Sequence, residues 1–563
     1  MRESPTSFLG SPALSKELIV RARRLIPLAG KVAIRSGLWS LLRPRGLGIL
    51  WRGLLKGRTN PSLLYRFQGA LQPNKVAIRW RGQQMTFAEL DALIDTIGRG
   101  LQALGLGQDS RIVSMLENRP ETIALAAALS RIGASGITIS PHSTASEIEY
   151  LVRHSGADGM VFTGQASEVV HAAWPSFDKV SKERMICLGE QAQGMASFDE
   201  LLRLGARRRP REGDDPAVIL YTSGTTGKPK GAVRKFPRDA MEGTLQLVAC
   251  SPIRSDDVHL AVLPFYHSTA FAFTSFSHVV GATVVIVDKF EPELFLSAIQ
   301  EHRVTQTALV PTLLHRVMQL GARRIGRYDT TSLRAIMLAG APLTATLARS
   351  AMDVFGDVLY NYYGATETGL NTLAEPEDLR GSPGTIGKRI PGVEIGLWDE
   401  EGNDVPQGQV GEFFVRGPLM VAGYHDDEAS TRGARRGDFF SVGDLGWLDN
   451  RGCYHLVGRK RDMIISGGVN VYPAEVEQVI DAHPEVVESA VIGVADEEWG
   501  ERVCAVVVPK TQASEQLRAS LLAHCRQHLA GPKRPRRIEF ADGLPRNPMG
   551  KVLKRELVQR YRS

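Results

Sequence analysis

One eleven-residue stretch constrains this chain more than any other: Tyr221-Thr222-Ser223-Gly224-Thr225-Thr226-Gly227-Lys228-Pro229-Lys230-Gly231, entered directly from the apolar run at 218–221. Glycines lack a Cβ and let the backbone come close to a phosphate. Hydroxyls and amides then donate to it, and Lys228 and Lys230 bring charge. The stretch is not a Walker A loop, because G-x-x-x-x-G-K-[ST] cannot be fitted to it. A polar loop of this kind, fed by an apolar strand, needs a sheet behind it.

That sheet is legible in the periodicity. Residues 86–104 predict a helix ending near Gly105, 111–115 a strand and 120–132 a helix. Strands at 218–221, 284–287, 307–310 and 335–338 and a helix at 292–302 repeat the theme. Alternation of strands and helices implies a largely parallel, covered sheet. The texture changes near Pro383, where short runs at 393–398, 412–416, 446–448 and 454–457 predict a small β subdomain. A last α/β unit follows, with helices at 474–482 and 515–529 and strands at 486–494 and 503–508.

Charge is unevenly spread. Residues 1–58 hold twelve Lys/Arg against Glu3 and Glu17, so this arm is +10 and the rest of the chain is −3. The body therefore offers no basic footprint for nucleic acid. In the arm, Leu14, Leu18, Ile19, Leu25 and Ile26 can share an apolar flank while Arg21, Arg23 and Arg24 stay solvated, and Leu and Trp residues continue to Leu55. Interfacial helices on an anionic membrane would look like this. So would an extra helical layer on the body, or an organelle-targeting peptide. The first reading makes the chain cytoplasmic and peripherally membrane-associated, the last mitochondrial. No apolar run reaches the roughly 18 residues of a transmembrane helix. Five scattered cysteines without CxxC spacing indicate a reducing compartment.

Further stretches follow the glycine-rich loop in a fixed order: Leu338-Ala339-Gly340-Ala341-Pro342-Leu343, Tyr362-Tyr363-Gly364-Ala365-Thr366-Glu367-Thr368-Gly369, Ser441-Val442-Gly443-Asp444-Leu445-Gly446, Gly458-Arg459-Lys460-Arg461-Asp462 and Asn547-Pro548-Met549-Gly550-Lys551. Together they resemble the adenylate-forming superfamily of acyl-CoA synthetases, luciferases and peptide-synthetase adenylation domains, over about residues 60–563. The resemblance implies ATP as substrate. Thr222, Ser223, Gly224, Thr225, Thr226, Gly227, Lys228 and Lys230 would hold its phosphates, and Gly340, Ala341, Pro342, Tyr363 and Gly364 would hold adenine. Asp444 would accept both ribose hydroxyls, with Arg459 assisting. Ser441 stands where the family usually has Thr. Lys551 would reach the carboxylate and α-phosphate oxygens, Thr366 would donate to the α-phosphate, and Glu367 would hold Mg²⁺. His267, in Pro264-Phe265-Tyr266-His267-Ser268-Thr269-Ala270-Phe271, would line the acyl site. Phe271, Phe273 and Phe276 would either line an apolar tunnel or pack the core. Gly467 and Gly468 would border the passage for coenzyme A, and the basic group Lys533, Arg534, Arg536 and Arg537 would meet its phosphates or simply be solvated.

The implied fold is α/β: an arm at 1–58, a large N-terminal domain at 60–458 with covered, largely parallel sheets plus the β subdomain, a hinge at 459–461, and a small mobile α/β domain at 462–563. Arg461 occupies the hinge position, where the family has Asp or Lys. The expected reaction is activation of a fatty acid to acyl-AMP, with pyrophosphate released, then transfer to coenzyme A. A ligase for aryl or short acids, or an acyl-AMP ligase loading a carrier protein, is the alternative.

Overall fold

The computed structural model describes residues 27–28, 30–37, 62–189, 195–206, 210–214, 217–222, 229–235, 238–496, 499–546 and 551–561. The expected helix at 86–104 is Phe87–Ala103. Its start is written in the sequence as a capping box: the Glu89 amide donates to Thr86 Oγ1 at 3.2 Å, and the Thr86 amide donates to Glu89 Oε2 at 2.7 Å. The helix Pro120–Ile132 opens on Pro at its first position and stops at Gly133, whose φ of +75° suits a residue without Cβ.

Among the described residues two large sheets form the body. One has eight strands. Ala196–Ser197, Met185–Leu188, Gly159–Thr163, Arg111–Met115, Ser135–Thr138 and Ala217–Thr222 run parallel. Ala217–Thr222 then pairs antiparallel with Lys230–Lys235, which pairs antiparallel with Gly423–Tyr424. The other sheet has fifteen strands. Val76–Trp80, Thr283–Ile286, Val258–Ala261, Gln306–Leu309, Ala335–Leu338 and Leu359–Ala365 are parallel neighbours. From Gly369–Ala374 onward the pairing is antiparallel, and this is the β subdomain expected from the short runs. It is continuous with the large sheet through Thr372↔Arg389, and the strand direction already changes at the hairpin Leu359–Ala365/Gly369–Ala374, ahead of the change of texture at Pro383. Parallel strands buried on both faces read as unbroken apolar runs, and antiparallel ones alternate.

A third sheet begins at Ile464–Ser466, after the short turn Lys460–Asp462, and is mostly antiparallel with Arg537–Phe540 added in parallel. It has its own core around Val476, Ile480, Val491, Ala505 and Leu521.

The arm departs from its membrane reading in one place. Residues 30–36 are helical. Val32 and Ala33 are buried, and Val32 belongs to the main core. Arg35 Nη1 donates to the Ala249 carbonyl at 2.7 Å, and the Ser255 amide donates to the Ser36 carbonyl at 2.7 Å. Apolar side chains committed to the core cannot also enter a lipid surface, so this segment is a layer of the body. Arm positions 1–26, 29 and 38–58 lie outside the described residues. Among the described residues no helix is long and apolar enough to cross a membrane.

Candidate active site

The segments carrying residues 223–228, His267, Gly340 and Thr366 leave the carboxyl ends of strands with parallel neighbours, where α/β sheets open a crevice for ligands, while Asp444 and Arg459 face each other on an antiparallel pair. The phosphate-loop candidates connect Ala217–Thr222 to Lys230–Lys235, and the pair Thr222↔Lys230 closes the loop's base. Residues 223–228, with Ser223, Gly224, Thr225, Thr226, Gly227 and Lys228, lie outside the described residues. Lys230 lies 3.2 Å from Asp427, donates to Ser430, and sits 5.3 Å from the Tyr424 ring centroid. Gly340, at φ +87°, turns the chain after Ala335–Leu338, leaving Ala341 and Pro342 at the surface of the crevice.

Strands Leu359–Ala365 and Gly369–Ala374 form a hairpin whose turn carries Thr366 and Glu367. A Cβ on Gly364 would stand 2.0 Å from the Gly369 carbonyl oxygen, so this turn requires glycine. The turn is tied at two successive carbonyls. The Val421 amide donates to Glu367 O at 2.8 Å and Arg234 Nη2 donates to Thr366 O at 2.6 Å. Tyr424 donates its hydroxyl to Glu367 Oε1 at 3.0 Å; burial and the adjacent carboxylate hold that phenol well above its usual pKa, so it keeps its proton.

Asp444 is held from both sides: Tyr363 donates to Oδ2 and Arg459 Nε donates to Oδ1, each at 2.9 Å. Each carboxylate oxygen still has a lone pair for a further donor. Tyr363 packs on Phe413 at 5.3 Å between ring centroids. Ser441 accepts from the Gly443 amide at 3.0 Å and donates to Glu412 at 2.6 Å, a turn-holding task that its hydroxyl performs without the Thr methyl.

Lys551 is brought to this cluster. Burial and the Arg459 guanidinium push its ammonium down to about 8, against the pull of Asp444, and Arg461 and Asp462 are also within electrostatic reach. The third sheet thus presents its lysine, and not its Gly467–Gly468 turn, to the large sheets. Gly467 and Gly468 are exposed, at φ +59° and +78°. Arg461 lies in the turn Lys460–Asp462, 3.5 Å from Asp462. Of the basic group, Lys533 is paired with Glu475 at 2.7 Å and Arg537 with Glu539 at 2.6 Å, while Arg536 lies 4.0 Å from the Trp499 ring centroid.

His267 precedes the helix Ser268–Val280. Burial pushes its imidazole down to about 4, so the ring is neutral at physiological pH. Its Nε2 is enclosed and meets no partner among the described residues. Phe273 and Phe276 are core residues, with Phe273 packed on Tyr362 at 5.1 Å, so only Phe271 of that trio retains surface. A helix that is apolar all round buries most of its circumference.

Glu367 suits a magnesium ion. Tyr424 occupies Oε1, leaving the other oxygen to a cation, and no group of three acidic, His or Cys ligands forms among the described residues. One carboxylate supplemented by phosphate oxygens is how this hard cation is commonly held. Arg234 and Tyr424 were missed in sequence because each lies outside a phosphate-binding pattern and gains its meaning only across strands.

Residues 66–425 match the family described as AMP-binding enzyme, and residues 475–551 match the AMP-binding enzyme C-terminal domain. An indoleacetate–CoA ligase of Aromatoleum aromaticum is 32% identical over 504 residues, covering 87% of this chain and 96% of the relative. The long-chain-fatty-acid–CoA ligase FadD13 of Mycobacterium tuberculosis is 30% identical, covering 85% of this chain and 93% of the relative. Among solved structures, the anthranilate CoA ligase AuaEII in complex with anthranoyl-AMP superposes with a TM-score of 0.82 at 26% identity, covering 89% of this chain and 97% of the other.

Proposed function

The chain belongs to the AMP-binding enzyme family, and from that premise we propose that it joins an apolar carboxylic acid to coenzyme A by way of an acyl-adenylate. The observation that carries this reading is that Lys551 lies within electrostatic reach of the Asp444–Arg459 pair, whose guanidinium is in turn within reach of Glu367.

The chemistry requires such a cluster. A carboxylate is a poor electrophile because its oxygen leaves badly. Attack of the carboxylate on the α-phosphorus of ATP forms the acyl–O–P bond and expels pyrophosphate. The thiol then attacks the acyl carbon and AMP leaves. The first step sets one anion against another, so preorganised cations and donors lower its barrier. In our reading Lys551 and Thr366 face the reacting oxygens, while Asp444 and Arg459 hold the ribose. The glycine-rich loop cradles the phosphates, and Gly467 and Gly468 border the thiol's path. Magnesium on Glu367 would neutralise charge on the phosphates.

The finer reading of the acid is a fatty acid. It is supported by the neutral His267 beside Phe271 and by the FadD13 relative. An aryl acid is the second reading, favoured by the loss of Phe273 and Phe276 to the core and by the indoleacetate relative. The positive arm outside 30–36 supports a membrane-surface location, which vesicle co-sedimentation across salt concentrations tests.

A panel of fatty and aryl acids with ATP and coenzyme A, following pyrophosphate and thioester separately, decides among these. We expect thioester with medium or long fatty acids. Turnover confined to aryl acids selects the second reading. Pyrophosphate without thioester from any acid points to a carrier protein as acceptor, and release of neither overturns the proposal.

A further inference from the structure

Arg234 stands on the strand that leads out of the phosphate loop, four residues beyond Lys230 and on the same face by strand periodicity. Its guanidinium crosses to a different sheet and donates to the Thr366 carbonyl at 2.6 Å. Its charge lies within electrostatic reach of Glu367. Its Nε is enclosed without a hydrogen-bond partner among the described residues. Among the described residues the Thr366 carbonyl is the one acceptor found for its planar fork of donors, a costly use of a partly enclosed guanidinium. A neutral side chain would suffice if only packing were at stake.

The carbonyl it holds is not an arbitrary one. The next carbonyl, of Glu367, is held by the Val421 amide at 2.8 Å, and the Glu367 carboxylate is held by Tyr424. Two successive carbonyls pinned in this way fix the peptide planes that follow Thr366 and Glu367, and so the backbone from which the Thr366 side chain leaves. The strand Gly423–Tyr424, just beyond Val421, also pairs with the strand bearing Arg234. Arg234 therefore bridges, with one side chain, the hairpin that carries the phosphate loop and the turn that carries Thr366.

We infer that Arg234 is a positioning residue for adenylation, setting the Thr366–Glu367 turn in register with the phosphate loop. The inference rests on the adenylating reading proposed above. Arg234 acts behind the turn, through a backbone carbonyl, so its loss should lower the rate of the first step and leave ligand affinity nearly unchanged. Misplacing a reacting group by about 1 Å costs roughly a hundredfold in rate.

The test compares R234M, R234Q and R234K with the wild-type enzyme in acid-dependent ATP–pyrophosphate exchange and in thioester formation from supplied acyl-AMP. Expected is a roughly hundredfold fall in exchange kcat for R234M, with KM for ATP and acid little changed. R234K, which can still donate to the carbonyl and keeps the charge, should recover much of the loss. Thioester formation should be largely spared. Unchanged exchange in R234M overturns the inference. So does a KM for ATP that rises in step with the loss, which would make Arg234 a phosphate ligand. Equal damage to both half-reactions with a lowered Tm and no rescue by R234K assigns it to packing and also overturns it. Absence of exchange in the wild-type enzyme with every acid is a failure of the adenylating reading itself.

Discussion

At the scale of single residues, Lys551 is the side chain whose environment says most about chemistry. Enclosure and the neighbouring Arg459 bring its pKa to about 8, below the usual lysine value. The sign follows directly: the ammonium is present at neutral pH and is lost as pH rises through about 8. If it neutralises charge in adenylation, exchange measured at low ATP should fall on the alkaline side with a midpoint near this value. K551R, whose charge does not titrate in that range, should remove the limb. Lys551→Ala should cut adenylation by roughly a hundredfold or more, while thioester formation from supplied acyl-AMP survives. Equal loss in both half-reactions would remove Lys551 from its assigned role. Glu367→Gln keeps size and loses charge, so it should raise the magnesium requirement of exchange with little change in Tm. A normal magnesium titration would exclude Glu367 as the ligand.

At the scale of elements, the helix 30–36 shows how one segment can carry two signals. Its basic and apolar residues suit an interface, yet Val32 is 1% exposed and Ile34 67% exposed. Val32→Ala should therefore destabilise the fold by about 1–3 kcal/mol through the cavity it leaves. Ile34→Ala should stay within about 0.5 kcal/mol. Chemical denaturation of both variants checks this, and equal effects would deny the packed layer. The elements most legible in sequence were those with their own punctuation. Pro120–Ile132 and Pro292–His302 open on proline, and Phe87–Ala103 carries its capping box. The helix Ser268–Val280 was harder, since Phe273 and Phe276 look alike as tunnel or core until a neighbour such as Tyr362 is in place.

At the scale of the whole molecule, the third sheet is docked with Lys551 toward the large sheets. His315 of the large body also lies within electrostatic reach of Glu488, Arg546 and Lys510. Gly468 takes no part: a Cβ there would meet nothing within 4 Å. A side chain at this position therefore has room in the orientation that presents the lysine, and would interfere only if the domain turns this face inward. Gly468→Leu should leave ATP–pyrophosphate exchange nearly intact and reduce thioester formation, with a modest stability cost because φ is +78°. Undiminished coenzyme A-dependent turnover would place the thiol's path elsewhere.

The sequence by itself determined the alternation of elements and the residue types that stand in each candidate stretch. Capping, proline and glycine signals act within a few residues, and a phosphate loop needs its residue types in one uninterrupted run. It also showed Asp444, Arg459 and Lys551 as separate motifs. Only the tertiary structure decided that these share one cluster, that Val32 belongs to the core, and that Arg234 and Tyr424 brace the Thr366–Glu367 turn. Such assignments depend on which distant strands become neighbours, and that is set by the summed burial of the whole chain and not by any local pattern.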